Sequence, residues 1–502
     1  MLPLPLLALT TAGHTLASTT DPVSQGLVAL IIALVFVLLA REAAHRVLVI
    51  MVAVGLLWGI TYLTPWKLIG FEASQAAIDL NVLLLLAAMM ALVGVLKTTG
   101  VFEWAVSHLL QRAGGQPSVI QRSVAWFTGI LSAFADNVTT VIFVTPMAGQ
   151  MARQTGVRPV AYLLPMIMAA NIGGTATLIG DPPNIMIGSG AGLSFLDFLM
   201  DLTVPVLFMM LALERYASRT YRADLAAAPA ATPTMAAPAI RDPLLLRWGL
   251  VITAGVFLGF LTHTLTGMPV AVPAVLGAAL LLVIQDILYL RANRPTPHER
   301  AHGILHIIEK DIEWPTLAFF LFLFIAVGAA VETGLIDTLA SGLIATVNLG
   351  AREFRLSEPG TLLFAALLIC WVSGILSAFI DNIPYVAVSI PLVSRLIAEL
   401  PGNGDVLWWA LALGACLGGN GTLVGASANV TAVGLAEKNG TRIGFTEFMR
   451  FGMPVMAMTL AIGSVFLASF IFAGQRPTFL GGVVGLVAIG VMRRLRTARR
   501  PA

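Results

Sequence analysis

Two aspartates stand in otherwise apolar sequence inside the same signature, Ile-Leu-Ser-Ala-Phe-Ala-Asp-Asn at 130–137 and Ile-Leu-Ser-Ala-Phe-Ile-Asp-Asn at 375–382. Each is followed by a second matching stretch, Thr-Leu-Ile-Gly-Asp-Pro-Pro-Asn at 177–184 and Thr-Leu-Val-Gly-Ala-Ser-Ala-Asn at 422–429. The offset is 245 residues throughout, from 136 to 381, from 177 to 422 and from 184 to 429, so one unit has been duplicated and its polar parts kept. A carboxylate at the centre of a lone membrane helix costs about 3 kcal/mol on insertion scales, so Asp136 and Asp381 need compensation, which a bound cation or proton would supply. The adjoining segments hold no Lys or Arg within helical reach of either Asp, which weakens an ordinary ion-pair reading. The bland alternative is that each Asp only caps the following helix through backbone amides. Capping and ion binding can coexist.

Hard cations such as Na⁺ prefer oxygen ligands. Asp136, Asn137, Thr139, Thr177, Asn184 and the carbonyls near Gly180 form one candidate set; Asp381, Asn382, Thr422, Ser427, Asn429 and the carbonyls near Gly425 form the other. The halves differ at Asp181, whose counterpart is Ala426. If Asp181 faces the same cavity it is a third titratable group, as proton-for-cation exchange requires; because it precedes Pro182 and Pro183, a role as turn former competes. Na⁺ would sit among these residues. The seven histidines show no transition-metal spacing, and His263, His302 and His306 read as solvated loop residues.

The elements that must position these groups are membrane helices. With 58% hydrophobic and 11% charged residues and a mean hydropathy of +0.90, the chain suits lipid as solvent. Roughly eleven apolar stretches are long enough to cross the bilayer core, counting a short last one near 480–492. The formal net charge of +3 is read as cytoplasmic loops, and no nucleic-acid site is legible. Cys370 and Cys416 both lie in apolar segments and read as reduced and packed. Residues 1–20 resemble a signal peptide in their small-residue end but lack an n-region Lys or Arg.

If the basic clusters are all cytoplasmic, the spans alternate only when 118–152 and 360–394 each enter and leave on one side. Each then forms a re-entrant hairpin with arms of about 15 residues, the second arm closed by Pro146 or Pro391, and with the Asp-Asn turn at its tip. Segments 160–190 and 406–436 are spans broken by Gly/Thr/Asn runs, whose helix ends and loose carbonyls would converge on an ion; plain close packing is the alternative. Spans 80–96 and 315–331 run in opposite senses, so the repeat is inverted. The expected fold is thus an all-α polytopic membrane protein, an inverted repeat with two re-entrant hairpins and two broken helices. The divisions are an N-terminal segment 1–24, a first repeat 25–213, a cytoplasmic linker 214–247, flexible over its Ala/Pro-rich 224–240, a second repeat 248–473, and a final short span with a basic tail over 474–502. Phe195-Leu-Asp-Phe and Phe445-Thr-Glu-Phe, before the last span of each repeat, read as interface anchors, and Glu103 and Glu332 as interfacial.

Ser132-Ala-Phe-Ala-Asp-Asn-Val-Thr-Thr, the run from Asn171 to Asn184, Ser377-Ala-Phe-Ile-Asp-Asn-Ile-Pro and the run from Gly414 to Asn429 resemble the ion transporter superfamily. The branch is that of the arsenical pumps, NhaD-type sodium/proton antiporters and melanosomal P protein, within the citrate transporter-like permeases. The resemblance implies a homodimer, a scaffold and a mobile transport part in each protomer, and elevator-like movement. The dicarboxylate-carrying relatives have Ser-Asn-Thr at the hairpin tips, whereas these tips carry acids.

The leading expectation is a secondary transporter of the inner (plasma) membrane that exchanges protons for Na⁺ or Li⁺, with no cofactor beyond the coupling ion. The alternatives are efflux of arsenite or another inorganic anion, and sodium- or proton-coupled carboxylate transport. The motif Gly-x-x-x-x-Gly-Lys-Ser/Thr is absent from the chain, so an ATP-driven arsenical pump would need a separate ATPase subunit. A passive channel would lack saturable counterflow. An intramembrane aspartyl protease would use the two acids as a dyad, but neither has a Gly-x-Gly-Asp setting.

Overall fold

A computed structural model of the chain describes residues 21–41, 44–227, 239–293, 307–400, 402 and 404–498. Residues 1–20, most of the 224–240 linker, His302 and His306 lie outside the described residues. The described residues are helical, in the order α1 (Pro22–Ala40), α2 (Arg46–Leu63), α3 (Phe71–Ala77), α4 (Leu80–Thr98), α5 (Val101–Arg112), α6 (Pro117–Phe134), α7 (Asn137–Thr155), α8 (Val160–Gly174), α9 (Pro182–Ala191), α10 (Phe195–Thr220) and α11 (Arg222–Ala227). The second half continues with α12 (Pro243–Thr266), α13 (Ala271–Asn293), α14 (Trp314–Glu332), α15 (Leu335–Glu353), α16 (Glu358–Ser377), α17 (Asn382–Glu399), α18 (Val406–Gly418), a 3₁₀ turn (Leu423–Gly425), α19 (Ser427–Lys438), α20 (Phe445–Ala473) and α21 (Gln475–Ala498). Nine of the described helices are long and apolar enough to cross a membrane, and α8 and α18 are the shorter apolar halves of the two broken spans.

Helices α6–α7 and α16–α17 are the two hairpins. Their arms of 18 to 20 residues exceed the expected 15 because each helix begins or ends in polar sequence beyond its apolar stretch. Pro146 and Pro391 lie inside α7 and α17 and do not close them. An internal proline forfeits one helical hydrogen bond, which neighbouring helices and side chains compensate in a membrane protein. Helices α5 and α15 are amphipathic connectors that hydropathy alone did not reveal.

Each broken helix packs along the first arm of its own hairpin, α8 on α6 and α18 on α16. The approach is backbone to backbone. A Cβ at Gly173 would lie 2.0 Å from the Gly129 carbonyl oxygen, and one at Gly418 would lie 2.5 Å from that of Gly374. These pairs share the 245-residue offset, so the repeat conserves a contact as well as a motif. The second arms cross between repeats: α7 packs on α19, and α17 on α9. Outside this body α13 packs on α4, and α2 on α14, the mirrored pairing of an inverted repeat.

Candidate functional site

The two turns between hairpin arms bring their acids to helix N-termini. Asp136 Oδ1 accepts from the Thr139 amide at 2.8 Å, and Asp381 Oδ1 accepts from the Ile383 amide at 3.0 Å. Both acids therefore cap the second arm, where the positive end of the helix also favours a carboxylate. Both stay half-buried. The other oxygen of Asp381 accepts from the Ser427 hydroxyl at 2.6 Å, joining hairpin tip and broken helix within the second repeat.

The breaks are closed by short, specific contacts. Thr177 Oγ1 donates to the Ala133 carbonyl and Thr422 Oγ1 to the Ala378 carbonyl, each stitching a break to its hairpin. Asn184 Nδ2 reaches the Gly174, Thr175 and Thr177 carbonyls at 3.3, 3.2 and 2.8 Å. Asn429 Nδ2 reaches those of Gly419 and Thr422 at 2.7 and 3.0 Å. Thus many of the loose carbonyls are held by the two asparagines, while each hydroxyl keeps lone pairs free to accept. A Cβ at Gly180 would lie 2.5 Å from the Gly174 carbonyl oxygen, and one at Gly425 would lie 2.9 Å from that of Gly419. Only glycine lets the breaks fold back this tightly.

The repeats meet through amides. Asn137 Nδ2 donates to Asn171 Oδ1 at 3.2 Å, and Asn171 Nδ2 donates to Asn420 Oδ1 at 3.0 Å and Asn429 Oδ1 at 2.9 Å. Asn382 Nδ2 approaches Asp181, which is 1% exposed, at 3.3 and 3.5 Å. Asp181 makes no side-chain cap on α9. The structure thus brings together Asp136, Asn137, Thr139, Thr177, Gly180, Asp181 and Asn184 from one repeat with Asp381, Asn382, Thr422, Gly425, Ser427 and Asn429 from the other.

A cavity of about 380 Å³ reaches the site from one end, lined by Asp381, Ser427, Val138, His45, Arg46 and Glu313. The last three come from the α1–α2 junction and the residue before α14. Sequence reasoning does not single out Arg46 and Glu313, because a basic residue at a span end is ordinary and both lie far from the motifs. It also missed the roles of Asn171 and Asn420. Their signal was a break in the repeat, since position 171 answers to Cys416 and position 420 to Thr175 at the 245-residue offset. Cys370 and Cys416 are buried and free, and Cys416 Sγ lies 3.5 Å from Asn184 Oδ1.

A second cavity, of about 860 Å³, lies at the other end of α4, lined by Asp79, Asn81, Ser189 and His263 among others. His263 Nε2 is buried and has no hydrogen-bond partner among the described residues, so this residue lines a cavity and is not a solvated loop histidine. Phe198 and Phe448 are fully buried. In the same motifs Asp197 completes a capping box with Ser194, and Glu447 pairs with Arg158 at 3.1 Å. Both motifs start helices, and each keeps one large apolar side chain exposed, Leu196 in the first and Phe445 in the second.

Comparison with known proteins agrees with this architecture. A family model described as citrate transporter matches residues 16–414. An uncharacterized transporter, Rv2684, of Mycobacterium tuberculosis is 36% identical over 438 residues, 86% of this chain and 95% of that one. The P protein of Mus musculus is 30% identical over 518 residues, covering 87% of this chain and 59% of that longer protein. The crystal structure of the YdaH transporter of Alcanivorax borkumensis shares the fold, with a TM-score of 0.60 at 16% identity over 86% of this chain and 99% of that one. The chain belongs to the citrate transporter family and is a multi-pass membrane transporter, not an enzyme.

Proposed function

We propose that this protein is a secondary active transporter of the plasma membrane that exchanges protons for Na⁺ or Li⁺. The observation that carries this reading is the meeting of three carboxylates, Asp136, Asp381 and Asp181, with none of them in a direct ion pair among the described residues. Acids inside a membrane protein without a direct ion pair favour a cation or a proton as counter-charge. Hydroxyl and amide oxygens of both repeats surround them, as a hard cation requires. Transport would proceed by elevator-like displacement of the body α6–α9 and α16–α19 against α1, α2, α4 and α12–α14, in a homodimer.

One observation favours a second reading, coupled transport of a carboxylate. Arg46 lines the same cavity as Asp381, and the matching family is described as citrate transporter. The purified protein in liposomes holding a pH gradient distinguishes the two, with a pH dye following addition of Na⁺, Li⁺, K⁺, citrate and arsenite in turn. Dissipation by Na⁺ or Li⁺ that disappears in Asp136→Asn or Asp381→Asn supports exchange. Silence to every cation, with citrate or arsenite moving, overturns it.

A further inference from the structure

Among the described residues Arg46, from the outer helices, reaches the candidate site, and it does so through hydroxyls. Its Nη1 donates to Ser427 Oγ at 2.9 Å, and Ser427 Oγ donates in turn to Asp381 Oδ2 at 2.6 Å. On its other side Nη2 donates to Thr316 Oγ1 at 2.7 Å, and Thr316 Oγ1 donates to Glu313 Oε2 at 2.9 Å. The guanidinium carbon also lies 5.7 Å from the centroid of the Phe319 ring. The result is a chain of carboxylate, hydroxyl, guanidinium, hydroxyl and carboxylate. One end belongs to a hairpin tip, the other to the outer helices.

The repeat's own symmetry shows that this chain is special to one side. Glu313 and Asp79 hold equivalent places, as the residues before α14 and α4. At the other end of the molecule Asp79 Oδ2 simply accepts from Ser189 Oγ at 2.5 Å. Among the described residues no arginine intervenes there, and neither residue hydrogen-bonds to a hairpin acid. Among the described residues, only the Arg46 side links the outer helices to an acid of the site.

We propose that Arg46 is a coupling residue, which through Ser427 and Thr316 holds the hairpin body against the outer helices while the Asp381 site is empty, and releases it when a cation occupies Asp381. The inference rests on the exchange reading above. With the Asp381 site empty, the guanidinium is shared between two carboxylates through Ser427 and Thr316 and bridges the moving boundary. With a cation on Asp381, Glu313 is the remaining open carboxylate of the chain, and Arg46 belongs to the outer helices alone. A ligand shifts a conformational equilibrium only through such differential interaction. The device suits an exchanger, because the empty carrier must not cross if the two fluxes are to stay coupled. The charged groups around Asp381 are Arg46, His45 and Glu313 in the cavity, with Asp181 beyond Asn382 and Asp136 on the other hairpin tip.

The test has a readout independent of substrate. Asn81 Nδ2 and Ser189 Oγ, on opposite sides of the boundary, lie 3.5 Å apart, so Asn81→Cys with Ser189→Cys reports the position seen here by disulfide yield in liposomes. The expected result is a high yield without Na⁺ or Li⁺, falling by about half or more, as a population shift dictates, on adding Arg46→Gln or Asp381→Asn. In flux measurements Arg46→Gln would let the pH gradient leak without any opposing cation. A yield unmoved by both substitutions overturns the proposal whatever the substrate. A yield that responds in a protein that moves no cation overturns the exchange reading and keeps the latch. Arg46→Gln that remains coupled like the native chain overturns the latch and keeps the exchange.

Discussion

Asn382, at the tip of the second hairpin, points its side-chain amide at the carboxylate of Asp181, in the break of the other repeat, at 3.3 and 3.5 Å. An amide donor supports a carboxylate without neutralising it, so Asp181 stays available as the third acid of the site. This contact is also what the repeat lost on the other side, where Ala426 stands at the matching position and Asn137 turns to Asn171 instead. In Asp181→Asn the protein is expected to fold and insert, while cation-dependent proton flux falls about tenfold or more, a rise of at least about 1.4 kcal/mol in the transport barrier. Liposome flux beside a thermal melt checks it; unchanged flux would leave Asp181 as a turn former.

Capping and ion binding at Asp136 and Asp381 separate cleanly by substitution. Asn caps a helix about as well as Asp, whereas Ala forfeits about 1 kcal/mol. Asp136→Asn and Asp381→Asn are therefore expected to melt like the native protein yet lose exchange, and the Ala variants to lose both. Retained exchange in the Asn variants would assign both acids to capping alone.

The Gly-on-Gly contacts predict a steep difference among glycines. Gly173→Ala and Gly418→Ala would drive a Cβ into the Gly129 and Gly374 carbonyls, at a cost of about 1–3 kcal/mol. Gly55→Ala and Gly149→Ala meet nothing within 4 Å and are expected to melt at or slightly above the native temperature. Detergent melts of the four variants check the ranking.

Cys370 and Cys416 are both 0% exposed. A membrane-impermeant maleimide is expected to label neither in the folded protein and both after denaturation, as read by intact mass. Labelling of Cys416 in the native protein would mean that water reaches the Asn184 contact.

Much of the site was legible because its parts are local. Duplicated tips, breaks and their glycines stand in consecutive residues, and a charged residue in apolar sequence is conspicuous wherever the solvent is lipid. Arg46, Glu313 and Thr316 carried no such signal. A basic residue at a span end is ordinary in a membrane protein, and nothing in the chain near position 46 points to position 427. The amphipathic α5 and α15 were missed for a related reason, since a mixed face lowers the mean hydropathy that reveals a span.

The sequence by itself determined the class, the duplication, the inverted topology and the two acid tips, because hydropathy, repeat offset and loop charge are properties of order along the chain. Tertiary structure alone decided the partners. Asn382 meets Asp181, Asn171 meets Asn420 and Asn429, and Arg46 meets Ser427, because packing second arms across the repeats brings together side chains more than two hundred positions apart. Directional hydrogen bonds then select which of the nearby polar groups pair.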